Sequence, residues 1–302
     1  MSRRGLLLFA AMSVIWGIPY LFIRIAVDQI SPATLVLVRT GLAAAILLPI
    51  ALSRVDLRPI VDRWPWLVAF AAVEIAIPWV LLGSAEQHLT SSLTGLLIAG
   101  VPLVSTVLAV ATGSGDRLGR AGLVGLAIGL AGVAAIVGGD FGTTDPVALL
   151  QIAGVVVGYA VGPAILARQL AGLPSVGVMS LSLLLCALVY VPIAALQLPA
   201  TMPSAGVVAS VVVLAVVCTA AAFLLFAALI DEIGPIRATV ITYVNPAVAA
   251  VLGVLVLHET LTPAMVTGFA LVIIGSTLAT RRPSAASATD GRLESAEAAA
   301  PR

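Results

Sequence analysis

The chain has 302 residues, 61% of them hydrophobic and only 10% charged, with a formal net charge of +1. A water-soluble domain carries about 25% charged residues and is about half apolar, so a soluble fold of this composition would lack the polar groups to cover its own surface. With no long basic run it offers nothing to nucleic acid, and its two cysteines, Cys186 and Cys218, both lie in apolar stretches and give neither a disulfide framework nor a metal-binding spacing.

The start, MSRRGLLLFAAMSVIWG, resembles a signal peptide, with Arg3 and Arg4 ahead of an apolar run. The run continues to about Ala26, long enough to cross a bilayer, and predicts an uncleaved first helix. Apolar stretches near the roughly 20 residues that span a bilayer recur along the chain. They predict ten spans: 5–27, 32–52, 65–84, 90–112, 119–138, 146–167, 175–197, 206–229, 236–257 and 263–280. Proline opens several of them, in Ser31-Pro32, Thr144-Asp145-Pro146, Gly172-Leu173-Pro174 and Thr262-Pro263. At the first turn of a helix its missing N–H costs nothing. Trp64 and Trp66 read as interfacial anchors at the start of the third span. The last segment, PSAASATDGRLESAEAAAPR, is too poor in large apolar residues to bury a core and is expected to be disordered.

All basic residues are arginine. In the short loops Arg3, Arg4, Arg54, Arg58, Arg63, Arg117, Arg120, Arg168, Arg237, Arg281 and Arg282 fall on one side. Asp28, Glu86, Asp140, Asp145 and Glu259 fall on the other. This asymmetry places both termini in the cytoplasm of a multi-pass protein of the inner membrane.

Two stretches repeat at a spacing of 143–144 residues. Pro102 matches Pro246, Asp116-Arg117-Leu118 matches Glu259-Thr260-Leu261, Gly125 matches Gly268, and Gly132 matches Gly275. Apolar helices share Leu and Val by chance; an ordered series of proline, acid, leucine and two glycines is a stronger signal. A unit of five spans is odd, so the second copy enters the membrane from the opposite side. Such inverted repeats are a common design of alternating-access transporters. The expected units are residues 1–140, 141–282 and a tail at 283–302.

At these residues the chain resembles the EamA-type branch of the drug/metabolite transporter superfamily. The resemblance is carried by WGIPYLFIRIA at 16–26, SPATLVLVRTGLAA at 31–44, NPAVAAVLGVLVLHETLT at 245–262 and the glycine-rich spans after each acidic loop. It covers about residues 5–280 and implies an all-α membrane protein of ten helices in two inverted five-helix repeats, and export or exchange of small metabolites. The chain departs in two places: Arg24 stands where the family often has lysine, and Asp116 in the first half matches Glu259 in the second. Both departures keep the charge.

Ionisable groups at membrane depth cost roughly 2.5–3.5 kcal/mol on insertion scales and default to a functional reading. Arg39 sits about two turns into the second span and Glu74 near the middle of the third, at heights an arginine can bridge. Either they pair, or they share a substrate, its carboxylate on Arg39 while Glu74 takes or releases a proton. The alternative use is a structural ion pair pinning two helices. Arg24 is expected to snorkel to the interface, His88 to face solvent beside Glu86, and Glu259 to serve structure. Prolines inside spans free a backbone carbonyl that must be re-satisfied or must line a cavity. The matched Pro102 and Pro246 are therefore expected to line a cavity or form a hinge. Trp16, Tyr20, Trp79, Tyr243 and Asn245 would complete a substrate pocket. Gly154, Gly158 and Gly162, like Gly125 and Gly129, recur every four residues and predict close helix packing, with a homodimer face as a second use.

Rival readings are weaker. Gly113-Ser114-Gly115-Asp116 spells the GxGD of an intramembrane aspartyl protease, but no span carries a second aspartate. A channel accounts less well for the repeat. An ATP-binding loop needs a lysine the chain does not have. The expectation is therefore a secondary transporter for small molecules, not an enzyme, with no cofactor, with proton coupling through Glu74, and with the lipid bilayer as its solvent.

Overall fold

In lipid a backbone has no water to bond, so a spanning segment must satisfy its N–H and C=O groups within itself. The structure, a computed structural model, describes residues 1–113, 119–139, 145–238 and 240–280. All regular secondary structure among these residues is helical. The spans are α1 (Arg3–Ala26), α2 (Pro32–Arg54), α3 (Trp64–Glu86), α4 (Ser91–Ala111), α5 (Arg120–Gly138), α6 (Pro146–Gln169), α7 (Ser175–Ala195), α8 (Ala205–Ile233), the shorter α9 (Ile241–Leu257) and α10 (Pro263–Thr280). An even number of crossings returns the chain to the side on which it began.

Local chemistry fixes the helix starts. Ser31 Oγ accepts the Thr34 N–H at 3.2 Å with Pro32 in the first turn, and Asp145 Oδ1 accepts the Val147 N–H at 2.8 Å with Pro146 in the same place. Thr90 and Ser204 cap α4 and α8 in the same way. The predicted ninth span, 236–257, begins later than expected. Gly234, at a φ of 80°, ends α8; a one-turn helix, Pro235–Ala238, then precedes Ile241. Asp116-Arg117-Leu118, the Ser114–Asp116 part of the GxGD stretch, Asp140, Thr144, Arg281, Arg282 and the tail at 283–302 lie outside the described residues.

The two halves meet in a seam of glycines between α5 and α10. A Cβ on Gly132 would fall 2.6 Å from the Gly268 carbonyl oxygen, and one on Gly268 would fall 2.6 Å from that of Gly132. Gly125 and Gly275 face each other in the same manner, at 2.8 and 2.6 Å. Under the sequence match, in which Gly125 corresponds to Gly268 and Gly132 to Gly275, exchanging the halves turns one contact into the other. The seam is self-complementary, as a twofold interface must be. The correspondence runs through the other spans as well. Pro19 and Arg24 of α1 match Pro163 and Arg168 of α6. Pro49-Ile50-Ala51 of α2 matches Pro192-Ile193-Ala194 of α7. The four-residue glycine rhythm of α6 serves a second close packing. Gly154 faces Leu81, Gly158 faces the Val73 carbonyl and Pro78, and Gly162 faces Glu74, all on α3.

Candidate functional site

Among the described residues two helical stretches widen to π geometry, and both belong to the third span of their half. Ala71–Ala76 in α3 and Val216–Ala221 in α8 are π-helical. The first has a visible cause: Pro78 has no N–H to offer the Glu74 carbonyl four residues back. The Ile77 N–H reaches Ala72 O instead, five residues back. Helix α7 serves the widened turn from the side. Cys186 Sγ donates to Ala71 O at 3.4 Å and the Tyr190 hydroxyl to Ala76 O at 2.8 Å. In α8 the Thr219 hydroxyl donates to Leu214 O, five residues back, at 2.8 Å. Such turns concentrate at functional sites. Glu74 and Thr219 each hold the fourth position of their turn.

Arg39 joins three helices at this level. It is only 6% exposed. Its Nε donates to Thr219 Oγ1 at 3.0 Å, and its guanidinium lies 3.6 Å from the centroid of the Trp79 ring. A cation over an indole face is favourable, the more so away from water. Arg39 does not pair with Glu74. The Glu74 Oε2 atom is buried with no hydrogen-bond partner. The carboxyl instead packs on Gly162, where a Cβ would come within 2.9 Å of the Glu74 Cδ. Any larger residue at 162 would displace the acid.

The remaining predicted residues divide into two groups. Trp79 and the buried Tyr20 stand with Arg39: Tyr20 packs its ring on Gly95 of α4 and is an electrostatic neighbour of Arg39, Glu86 and Tyr159. Trp16 belongs elsewhere, against Phe223 at 6.3 Å and Phe226 at 4.6 Å between ring centroids. Asn245, with its amide turned to suit its neighbours, donates to Ser13 O at 3.0 Å and Ile241 O at 2.9 Å. It thus ties α9 to α1. Tyr243 is half-buried on the same helix. The matched prolines differ in setting. Pro102 opens the second segment of α4 after a break at Ala99–Gly100, whereas Pro246 is buried inside the continuous α9.

Three residues of the site escape a reading of the sequence. Thr219 is one of two hydroxyls, with Ser210, in an otherwise apolar stretch of α8. Tyr159 lies among the α6 glycines, yet it is an electrostatic neighbour of both Glu74 and Arg39. Glu86, expected in a loop beside His88, is fully buried at the end of α3, with both carboxyl oxygens unpartnered. Arg39, held on Trp79 of the same helix, has Glu86 as an electrostatic neighbour without an ion pair between them. His88 is exposed as expected, and Arg24 pairs with Asp28 at the helix end.

Glu259 has a structural place of its own. Its carboxylate accepts the backbone N–H groups of Ser91 and Ser92 at 2.8 and 2.9 Å and both of their hydroxyls. An acid from the second half thereby caps a helix of the first. His258, in the left-handed region at a φ of 56°, ends α9 and turns the chain so that Glu259 can reach it.

Comparison with known proteins agrees with this architecture. The EamA-like transporter family matches residues 3–138 and again residues 146–281. The "Uncharacterized transporter YvbV" of Bacillus subtilis (strain 168) is 22% identical over 275 residues, covering 90% of each chain. A solved crystal structure, described only as that of a protein, shares the fold with a TM-score of 0.66 at 22% identity, over 93% of this chain and 97% of the other.

Proposed function

Because the chain belongs to the EamA-like transporter family and is a membrane transporter, we propose that it works by alternating access between its two inverted halves. On this reading it exports or exchanges small metabolites, amino acids and related compounds foremost, across the inner membrane, with both termini cytoplasmic. The observation that carries the proposal is the buried Arg39, held by Thr219 of one half and Trp79 of the other with no carboxylate against it. A buried cation without a counter-ion is costly, and a solute carboxylate would supply one. Contacts to residues from both halves let such a solute favour one arrangement of the halves over another.

The test is an untargeted metabolite profile of the medium around cells that overexpress the protein. Arg39→Ala and Glu74→Gln, expressed to equal levels, are the controls. One solute class should accumulate outside with the wild type, and its export should fall at least about tenfold with Arg39→Ala, the loss expected when a charge-assisted contact is removed. An unchanged medium for all three would count against export.

Glu74 is the proposed proton carrier. The titratable and charged groups on elements packed around it are Tyr159 of α6, Cys186 and Tyr190 of α7, and Arg39 of α2. Glu74→Gln keeps the shape and removes the exchangeable proton. Transport measured in proteoliposomes should then lose its dependence on pH. A pH profile identical to that of the wild type would remove Glu74 from the coupling.

A further inference from the structure

The internal twofold makes a comparison possible within one molecule. In the first half Arg39 of α2 reaches the π-turn of α8 and bonds its fourth residue, Thr219. The match of Pro49-Ile50-Ala51 with Pro192-Ile193-Ala194 places Ser182 of α7 where Arg39 stands on α2. The fourth residue of the other π-turn is Glu74. The position equivalent to the Arg39 guanidinium is therefore beside Glu74, reached from Ser182, and a serine is too short to fill it. Both side chains carry the mark of this. The fully buried Ser182 Oγ and the buried Glu74 Oε2 have no hydrogen-bond partner. One half thus contains a cation on a hydroxyl; the other contains an acid and a hydroxyl with the cation missing.

We propose that Glu74 and Ser182 form a subsite for the cationic group, an ammonium or guanidinium, of an amine-bearing solute, in the place Arg39 fills in the opposite half. The proposal rests on the transport reading above and narrows its substrate class. The carboxylate of Glu74 accepts from the amine and Ser182 supplies a further oxygen acceptor. Tyr159 stands alongside, an electrostatic neighbour of Glu74. A solute that also has a carboxylate can set it against Arg39, so zwitterions fit both ends. The ammonium occupies the carboxyl that otherwise holds the proton.

The experiment is calorimetric titration of the purified full-length protein in detergent with L-phenylalanine, phenethylamine and 3-phenylpropionate, which differ by one charged group each. L-Phenylalanine, which can use both ends, should bind the wild type at least about tenfold more tightly than 3-phenylpropionate, which lacks only the amine. Ser182→Arg supplies the missing cation from the chain itself. It should abolish that preference while leaving 3-phenylpropionate binding intact, which also shows that the variant is folded. Glu74→Gln should lose the preference too. Equal affinity for all three ligands, no binding of any of them, or an amine preference that survives Ser182→Arg would overturn the subsite. Exchange of radiolabelled L-phenylalanine in proteoliposomes separates the two claims. Amine-selective binding without exchange keeps the subsite and sinks the transport reading; exchange without amine preference does the reverse.

Discussion

Gly132→Leu should prevent α5 and α10 from meeting and should lower thermal stability in detergent by about 3 kcal/mol or more, beyond the usual range for overpacking. The reason is what a side chain at this position meets. Even a Cβ would lie 2.6 Å from the Gly268 carbonyl oxygen and 2.7 Å from the Val272 nitrogen. These are backbone atoms and cannot rotate away, so the helices must separate. Between membrane helices no hydrophobic effect draws the surfaces back together; association depends on close van der Waals contact, of which a gap of about one ångström forfeits up to about half. Gly132→Ala should show the same effect in smaller measure. Gly138→Ala is the control. It lies on the same helix with open space around it, and Ala there should be neutral or stabilise by up to about 1 kcal/mol through helix propensity. Thermal unfolding followed by size-exclusion chromatography measures all three. Equal behaviour of Gly132→Ala and Gly138→Ala would mean that the seam does not hold the halves.

Glu259→Ala should be nearly as damaging, costing about 3 kcal/mol. Four donors converge on this carboxylate: two backbone N–H groups and two hydroxyls, from Ser91 and Ser92. Both serines are buried, at 0% and 1% exposure, whereas Glu259 is half-buried, so water reaching the vacated place replaces only part of what is lost. Each orphaned buried donor costs about 1–3 kcal/mol. The expected measurement is a lowered melting temperature together with proteolytic cleavage at the α3–α4 connection. Glu259→Gln, which keeps one good acceptor, should fall between the alanine variant and the wild type. Wild-type stability in Glu259→Ala would show that the cap does not hold α4.

How much of this was legible beforehand depended on how the chain encodes each feature. The spans were legible because crossing a bilayer imposes length and apolarity directly. The repeat was legible in α4, α5, α9 and α10, where proline and glycine are fixed by shape, and barely so in α2 and α7, where three residues keep the match. The glycine rhythm of α6 predicted packing, and the structure supplies α3 as its partner. Arg39 and Glu74 were placed at heights that could meet, but height says nothing of direction. The π-turn that carries Glu74 changes the helical phase along α3, and no residue type announces such a turn. Glu86 looked like a loop residue because Gln87 and His88 follow it; its burial comes from helices distant in sequence. Thr219 matters only because Arg39 arrives there from 180 positions away.

The two π-turns also redirect the spans that hold them. A π-turn holds one residue more than the α-turn it replaces, and each residue of a helix advances about 100° around the axis. Every side chain after Ala76 in α3, and after Ala221 in α8, is therefore rotated by about that angle from where an unbroken α-helix would aim it. Each of these spans presents one stripe to its neighbours before the turn and a different stripe after it, so the level of Glu74 and Thr219 is where both halves change packing partners.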